Sequence, residues 1–153
     1  MASKVGGRVV GVLAAIAVFV VSFWISRILD AWVEPYLPEL ILKLPLMNHD
    51  GLKRHALRII ARMPFPEALE ATLMNIAFEW LLSATESVAV KMYSMQILYR
   101  LSASEPDILQ ELYDTIEFQL ADGTPGFKSI GHKMMEQIDE DIIRRKRGQR
   151  SGV

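Results

Sequence analysis

The sequence predicts an all-α fold, a short right-handed α-solenoid of antiparallel helix pairs preceded by an apolar N-terminal helix. The first observation is an internal repeat, because Gly51-Leu52-Lys53 recurs as Ala89-Val90-Lys91 and as Gly126-Phe127-Lys128 at intervals of about 38 residues. The second is that apolar residues follow in each copy at helical spacing, and the third is that Pro66 and Pro106 each open a further helix. Two helices in a unit of this length are typical of helical repeat proteins.

The first element in chain order is an uncharged apolar run at residues 9–26, which follows Lys4 and Arg8 and ends at Arg27. A run of this length is at the threshold for spanning about 30 Å of hydrocarbon. Trp24 and Trp32 lie toward its far end, where interfacial aromatic residues are favoured. We therefore expect a single-pass membrane anchor, with the anchoring side chains Val9, Leu13, Ile16, Phe19, Phe23 and Trp24.

An alternative interpretation of the same run is the first helix of an upstream repeat, which would make the protein cytoplasmic. Glu34-Pro35 precedes apolar residues in the same way as the later prolines and marks the second helix of such a unit. No small-x-small cleavage site follows the run, which favours an uncleaved anchor over a signal peptide. The flanking charges leave the orientation across the membrane open.

The first helix of each repeat is predicted to be amphipathic. In the first full copy, which starts at residues 48–50, Leu52, Ala56, Ile59, Ile60 and Met63 share one side, and Arg54, Arg58 and Arg62 lie opposite. In the second copy, with Thr85 as the expected N-cap, the buried side comprises Val90, Ser94, Ile97, Leu98 and Leu101. A small residue at the centre of each side, Ala56, Ser94 or Gly131, should allow a neighbouring helix to approach closely.

The second helix of each repeat carries its own apolar stripe. The two stripes are Leu69, Leu73, Ala77, Trp80 and Leu81, and then Ile108, Leu112, Ile116 and Leu120. A loop is expected at residues 121–126, before a last helix that ends at about Arg145. The predicted organisation is therefore an anchor at residues 1–33, helical repeats at residues 34–143 and a basic disordered tail at residues 144–153.

These frames resemble a family of small bacterial HEAT-like, armadillo-type α-solenoid proteins, mostly without assigned function. The likeness is carried by HDGLKRHALRII, ESVAVKMYSMQIL and GFKSIGHKMM, and it spans residues 35–138. It implies a stacked array of helix pairs, and it implies that the expected anchor lies in a bacterial inner membrane. Members of the family are sometimes labelled as adenylosuccinate lyase, but the serine- and lysine-bearing signature loop of that enzyme is absent from this sequence.

Composition gives little reason to expect chemistry. Cysteine is absent, which excludes disulfides and thiolate metal sites, and the net charge of -1 gives no global attraction to nucleic acid. His49, His55 and His132 lack the spacing of a metal site, and the sequence has no nucleophile elbow or glycine-rich phosphate loop. We expect a protein that is not an enzyme and binds no cofactor or metal.

Charge is distributed by helix type. The first helices are basic and the second helices are acidic, which predicts one basic and one acidic surface. The candidate partner-binding residues are Lys53, Arg54, Arg58, Arg62, Lys91 and Lys128. The function predicted is a non-catalytic protein-interaction scaffold held at a membrane. The alternative is a soluble solenoid that binds nucleic acid through its basic side, as the HEAT-like DNA glycosylases do.

Overall fold

The computed structural model of the protein describes residues 30–150, with side chains up to residue 147. Contacts divide the chain into two compact units, residues 1–37 and residues 38–153. In the first unit, residues 30–33 are helical and Glu34–Tyr36 form a 3-10 turn. The apolar run at residues 9–26, which carries the predicted membrane anchor, lies outside the described residues. Within residues 30–150, no helix is both long and apolar enough to cross a membrane.

Six α-helices follow the first 3-10 turn in the described part of the chain, and short 3-10 segments at Leu44–Leu46 and Glu67–Leu69 precede α2 and α3. The connections between consecutive helices are short, which favours antiparallel neighbours. The predicted all-α solenoid is confirmed. The helices are α1 (Leu37–Lys43), α2 (Asp50–Ile60), α3 (Glu70–Leu82), α4 (Val88–Leu101), α5 (Ile108–Leu120) and α6 (Pro125–Arg150).

Helix α4 is the centre of the second unit, because it packs against α2, α3, α5 and α6. A helix with neighbours on several sides must be apolar around most of its circumference. The sequence of α4 meets this requirement, and all five residues predicted for its buried side are buried, together with Met95. The full set is Val90, Ser94, Met95, Ile97, Leu98 and Leu101.

The predicted stripes of α3 and α5 are largely confirmed. Leu73, Ala77, Trp80 and Leu81 are buried in α3, and Ile76 joins them. In α5 the buried residues are Ile108, Leu109, Leu112 and Ile116. Leu69 and Leu120, at the ends of the two stripes, are half-buried.

The predicted buried side of α2 is wrong at two positions. Leu52 and Ile59 are 59% and 40% exposed, whereas Leu57, which was not assigned to the core, is fully buried. The reason is geometric. Helix α2 packs against α4, and the side chains of α2 that are buried are Ala56, Leu57 and Ile60. Leu52 and Ile59 therefore lie at the edge of the apolar arc and not at its centre.

The central small residues allow close helix packing, as predicted. Ala56 and Ser94 are buried on α2 and α4. On α6, a Cβ atom added at Gly131 would lie 3.0 Å from Ile116 Cγ2 and 3.0 Å from Leu120 Cδ2 of α5. A larger side chain at Gly131 would separate α6 from α5.

Local sequence explains where the helices begin. His49 caps α2, because its Nδ1 accepts a hydrogen bond of 3.1 Å from the Gly51 N–H. The expected N-cap of α4 at Thr85 is wrong, since the helix starts after Ser87, whose hydroxyl accepts from the Val90 N–H. Helix α6 starts with Pro125, and the Thr124 hydroxyl accepts from the Phe127 N–H at 3.3 Å.

Helix α6 continues to Arg150 and does not end at about Arg145. Asp141 and Arg144 form an ion pair of 3.0 Å at a spacing of three residues, which supports helical structure at this end of the chain. Residues 144–150, assigned to a disordered tail from the sequence, therefore belong to the helix. Residues 151–153 lie outside the described residues.

Candidate interaction surfaces

The six residues predicted to bind a partner fall into two groups. Arg54, Arg58 and Arg62 are exposed and follow one another at a spacing of four residues along α2 and the turn after it. Leu52 and Ile59 are also exposed, but they lie on a different side of α2. The three arginines form a basic surface, which we call the arginine face.

The other group comprises the three repeated lysines, which make internal contacts. The Lys53 ammonium forms an ion pair with Glu86, and only 16% and 11% of these side chains are exposed. Its nitrogen also lies over the Trp80 ring, 5.0 Å from the ring centroid. Lys53 therefore connects the start of α2 to the end of α3 and to the turn that follows it.

Lys91 makes the corresponding contacts one repeat later. Its ammonium donates a hydrogen bond of 2.6 Å to Gln119 Oε1 and lies 5.3 Å from the centroid of the Phe127 ring. Burial lowers the pKa of Lys91, and the charge of Glu86 opposes that shift. Gln119 in turn donates a hydrogen bond of 2.8 Å to the Leu81 carbonyl oxygen. The lysine thus belongs to a chain of contacts that joins α4, α5 and α3.

The third lysine, Lys128, donates a hydrogen bond of 3.3 Å to the Ala121 carbonyl oxygen at the end of α5. All three lysines therefore contact the C-terminal end of the second helix of a repeat, α3 or α5, or the turn after it. The repeat gives the three lysines equivalent positions, but it could not show which side chains they contact. The partner-binding prediction remains a prediction for all six residues, and the arginine face holds the three that are exposed.

Two arginines with a structural role were not recognised from the sequence. Arg100 of α4 donates hydrogen bonds to the carbonyl oxygens of Ala61 and Met63, which follow α2. Arg145 of α6 donates two hydrogen bonds of 3.2 Å to the Ser102 carbonyl oxygen, which follows α4. The available signal was an arginine in the C-terminal part of the first helix of a repeat (α2, α4 and α6, which we call first-type helices). A cation there can complement the negative end of the preceding first-type helix.

The described residues contain no group of three histidine, aspartate or glutamate side chains that could hold a metal ion. His49 is a helix cap, and His55 and His132 are exposed.

Comparison with known proteins gives one family. The model of the HEAT repeat domain matches residues 12–138, which is most of the chain and begins inside the apolar run at residues 9–26. No curated protein and no solved structure gives a significant match.

Proposed function

Because the chain belongs to the HEAT repeat domain family, we propose that it is a non-catalytic scaffold that binds another protein through the arginine face. The observation that carries this proposal is the row of exposed side chains Arg54, Arg58 and Arg62 on the side of α2 opposite its buried residues. Arginine is enriched at the centres of protein interfaces. The partner is expected to present carboxylates to the three guanidinium groups.

The repeat itself makes the exposed apolar residues unusual. Positions equivalent to Leu52 and Ile59 are occupied in α4 by Val90 and Ile97, and in α6 by Phe127 and Met134. All four of these residues are buried. The first described copy thus exposes two apolar positions that the later copies bury, and they lie on a different side of α2 from the arginine face.

The experiment compares the full chain with the triple variant Arg54→Gln, Arg58→Gln and Arg62→Gln as bait in extracts of the native host. The control, Lys133→Gln, Arg144→Gln and Lys146→Gln, removes three exposed charges from α6. Quantitative mass spectrometry should find a partner that the wild type and the control capture and that the arginine-face variant loses by about tenfold or more. Equal capture by all three proteins would contradict the proposal.

Nucleic-acid binding through the same arginines is the alternative, and a labelled 20-base-pair duplex tests it. Phosphate recognition predicts an affinity that falls steeply as salt is raised and that drops in the arginine-face variant. Binding that is weak and independent of salt would leave the protein partner as the function of this face.

Attachment to a membrane through residues 9–29 is a separate proposal, supported by the uncharged run that carries Val9 to Trp24. The start of the family match at residue 12 supports the alternative, in which this run is a helix of the first repeat. Carbonate extraction of membranes that contain the full chain, or a chain starting at Pro35, distinguishes the two. An anchor predicts that only the full chain resists extraction, whereas a repeat helix predicts that the full chain is extracted and the shortened chain aggregates.

A further inference from the structure

A groove with a volume of about 540 Å³ lies between the N-terminal ends of α3 and α5, beside the C-terminal end of α4. Four apolar side chains from three helices line its floor: Ala71, Met74, Leu101 and Ile108. Leu101 and Ile108 belong to the core and are only 2% and 5% exposed. The apolar surface that a ligand could reach is therefore supplied mainly by Ala71 and Met74.

Five carboxylates surround this floor, and no lysine, arginine or histidine lines the groove: Glu67, Glu70, Glu105, Asp107 and Glu111. None of the ion pairs within the described part of the chain involves them. Glu70 accepts a hydrogen bond of 3.2 Å from the Ser104 hydroxyl. We call this surface the acidic groove.

Helix dipoles explain single carboxylates here. Glu70 and Glu111 lie in the first turns of α3 and α5, where the positive end of the helix stabilises a negative charge. The five carboxylates also make the groove negatively charged, and water and salt screen this charge only in part. A cationic occupant would be attracted to it, and an apolar occupant would cover the floor.

We propose that the acidic groove binds a basic amphipathic helix of a partner protein. The apolar side of such a helix would lie on Ala71 and Met74, as in other complexes in which a helix occupies a groove. Lysine and arginine side chains are long enough to cover apolar surface with their methylene groups while their charged ends reach the carboxylates. The groove and the arginine face lie on different helices, so the two proposals can fail independently.

The test measures binding of a fluorescent 14-residue peptide composed of leucine and lysine at helical spacing to the full chain by anisotropy. The charge variant is Glu67→Gln, Glu105→Gln, Asp107→Asn and Glu111→Gln, and all four residues are exposed. The steric variant is Ala71→Trp, which fills the groove without changing its charge. Each variant should weaken binding by about tenfold or more, since each removes one of the two complementary features.

Three controls separate the groove from general attraction between opposite charges. The variant Glu117→Gln, Glu136→Gln, Asp139→Asn and Glu140→Gln removes four exposed carboxylates elsewhere and should bind as the wild type does. A peptide with the same composition but no amphipathic spacing should bind at least about tenfold more weakly. The arginine-face variant should bind the original peptide unchanged.

The proposal is overturned if the Ala71→Trp protein, shown to be folded by circular dichroism, binds the peptide as tightly as the wild type does. It is also overturned if the control carboxylate variant loses as much affinity as the groove variant. The steric variant keeps the test decisive even if the fourfold charge variant does not fold.

Discussion

The guanidinium of Arg100 donates a hydrogen bond of 2.6 Å to the carbonyl oxygen of Ala61, 39 positions earlier in the chain. A second hydrogen bond, of 3.0 Å, reaches the Met63 carbonyl oxygen, and the guanidinium lies 4.3 Å from the centroid of the Phe65 ring. The last carbonyl groups of a helix have no partner within the helix. Arg100, which belongs to the next first-type helix, α4, supplies hydrogen-bond donors to the carbonyl groups that follow α2.

Arg145 repeats this relationship one unit later, because it donates to the Ser102 carbonyl oxygen at the end of α4. The repeat is therefore joined in two ways: by apolar packing through the core and by arginine caps between successive first-type helices. Burial lowers the pKa of Arg100, but its guanidinium remains charged at neutral pH.

Replacing either capping arginine should destabilise the protein. We expect Arg100→Leu and Arg145→Leu each to lower the free energy of unfolding by about 1–2 kcal/mol, because carbonyl groups at a helix end lose a charged donor. Urea unfolding followed by circular dichroism measures this. Arg58→Leu removes the same side chain from an exposed site and should change stability by less than about 0.5 kcal/mol. Equal effects at Arg58 and Arg100 would show that the caps contribute nothing.

The ion pair between Lys53 and Glu86 should contribute more to the free energy of unfolding than the neighbouring charge of Arg54 does. Lys53→Met leaves the mostly buried Glu86 carboxylate without its cation, and we expect a loss of about 1–3 kcal/mol. Arg54→Met changes the net charge equally at an exposed position and should be close to neutral. Adding Glu86→Gln to Lys53→Met should recover part of the loss, and strict additivity of the two changes would argue against the pair.

Ser94 is fully buried, and within the described residues its hydroxyl has no hydrogen-bond partner. Because an unpaired buried hydroxyl is costly, Ser94→Ala should raise the free energy of unfolding by about 1 kcal/mol. The control is Ser129→Ala, at an exposed position of α6, where only the higher helix propensity of alanine acts. It should raise the free energy of unfolding by less than Ser94→Ala does. Thermal unfolding of both variants checks this, and a destabilised Ser94→Ala protein would refute it.

Tyr99 should titrate above the ordinary range of tyrosine. Burial raises its pKa, and so does the hydrogen bond that its hydroxyl donates to Asp141. Absorbance at 295 nm, as the difference between the wild type and Tyr99→Phe, should show a midpoint above pH 10, and Asp141→Asn should lower it. A midpoint at the ordinary value would contradict the contact.

The sign of the corresponding stability effect follows from the raised pKa. The folded state holds the Tyr99 proton more tightly than the unfolded state does, so this contribution is complete below about pH 10. This contribution to stability is lost as the pH rises through the pKa of Tyr99 in the folded state. The wild type should therefore lose stability faster than Tyr99→Phe at alkaline pH, and parallel stability curves would contradict this.

Much of the fold could be predicted from the repeat. The recurrence of Gly51-Leu52-Lys53 located α2, α4 and α6, and the apolar stripes of α3 and α5 followed from helical spacing alone. The prediction for α5 was accurate because the side opposite its stripe is polar, whereas in α3 the residues Met74, Phe78 and Leu82 offer a second apolar row that helical spacing alone does not exclude.

The surfaces could be predicted only in part. Leu52 and Leu57 are both apolar and lie on different sides of α2, and the sequence does not specify which of the two meets α4. Likewise, Lys53 and Lys91 were assigned from the sequence to a basic, partner-binding surface. Their partners, Glu86 and Gln119, come from other helices, so only the folded chain could reveal these contacts.

The position of α4 has a consequence for how the protein opens. Arrays in which each repeat touches only its neighbours can lose structure from one end. Here a single helix contacts four others, so opening α4 removes packing from α2, α3, α5 and α6 at once. Its amide hydrogens should exchange with solvent only through unfolding of the second unit as a whole, which makes α4 the slowest-exchanging segment of the described chain.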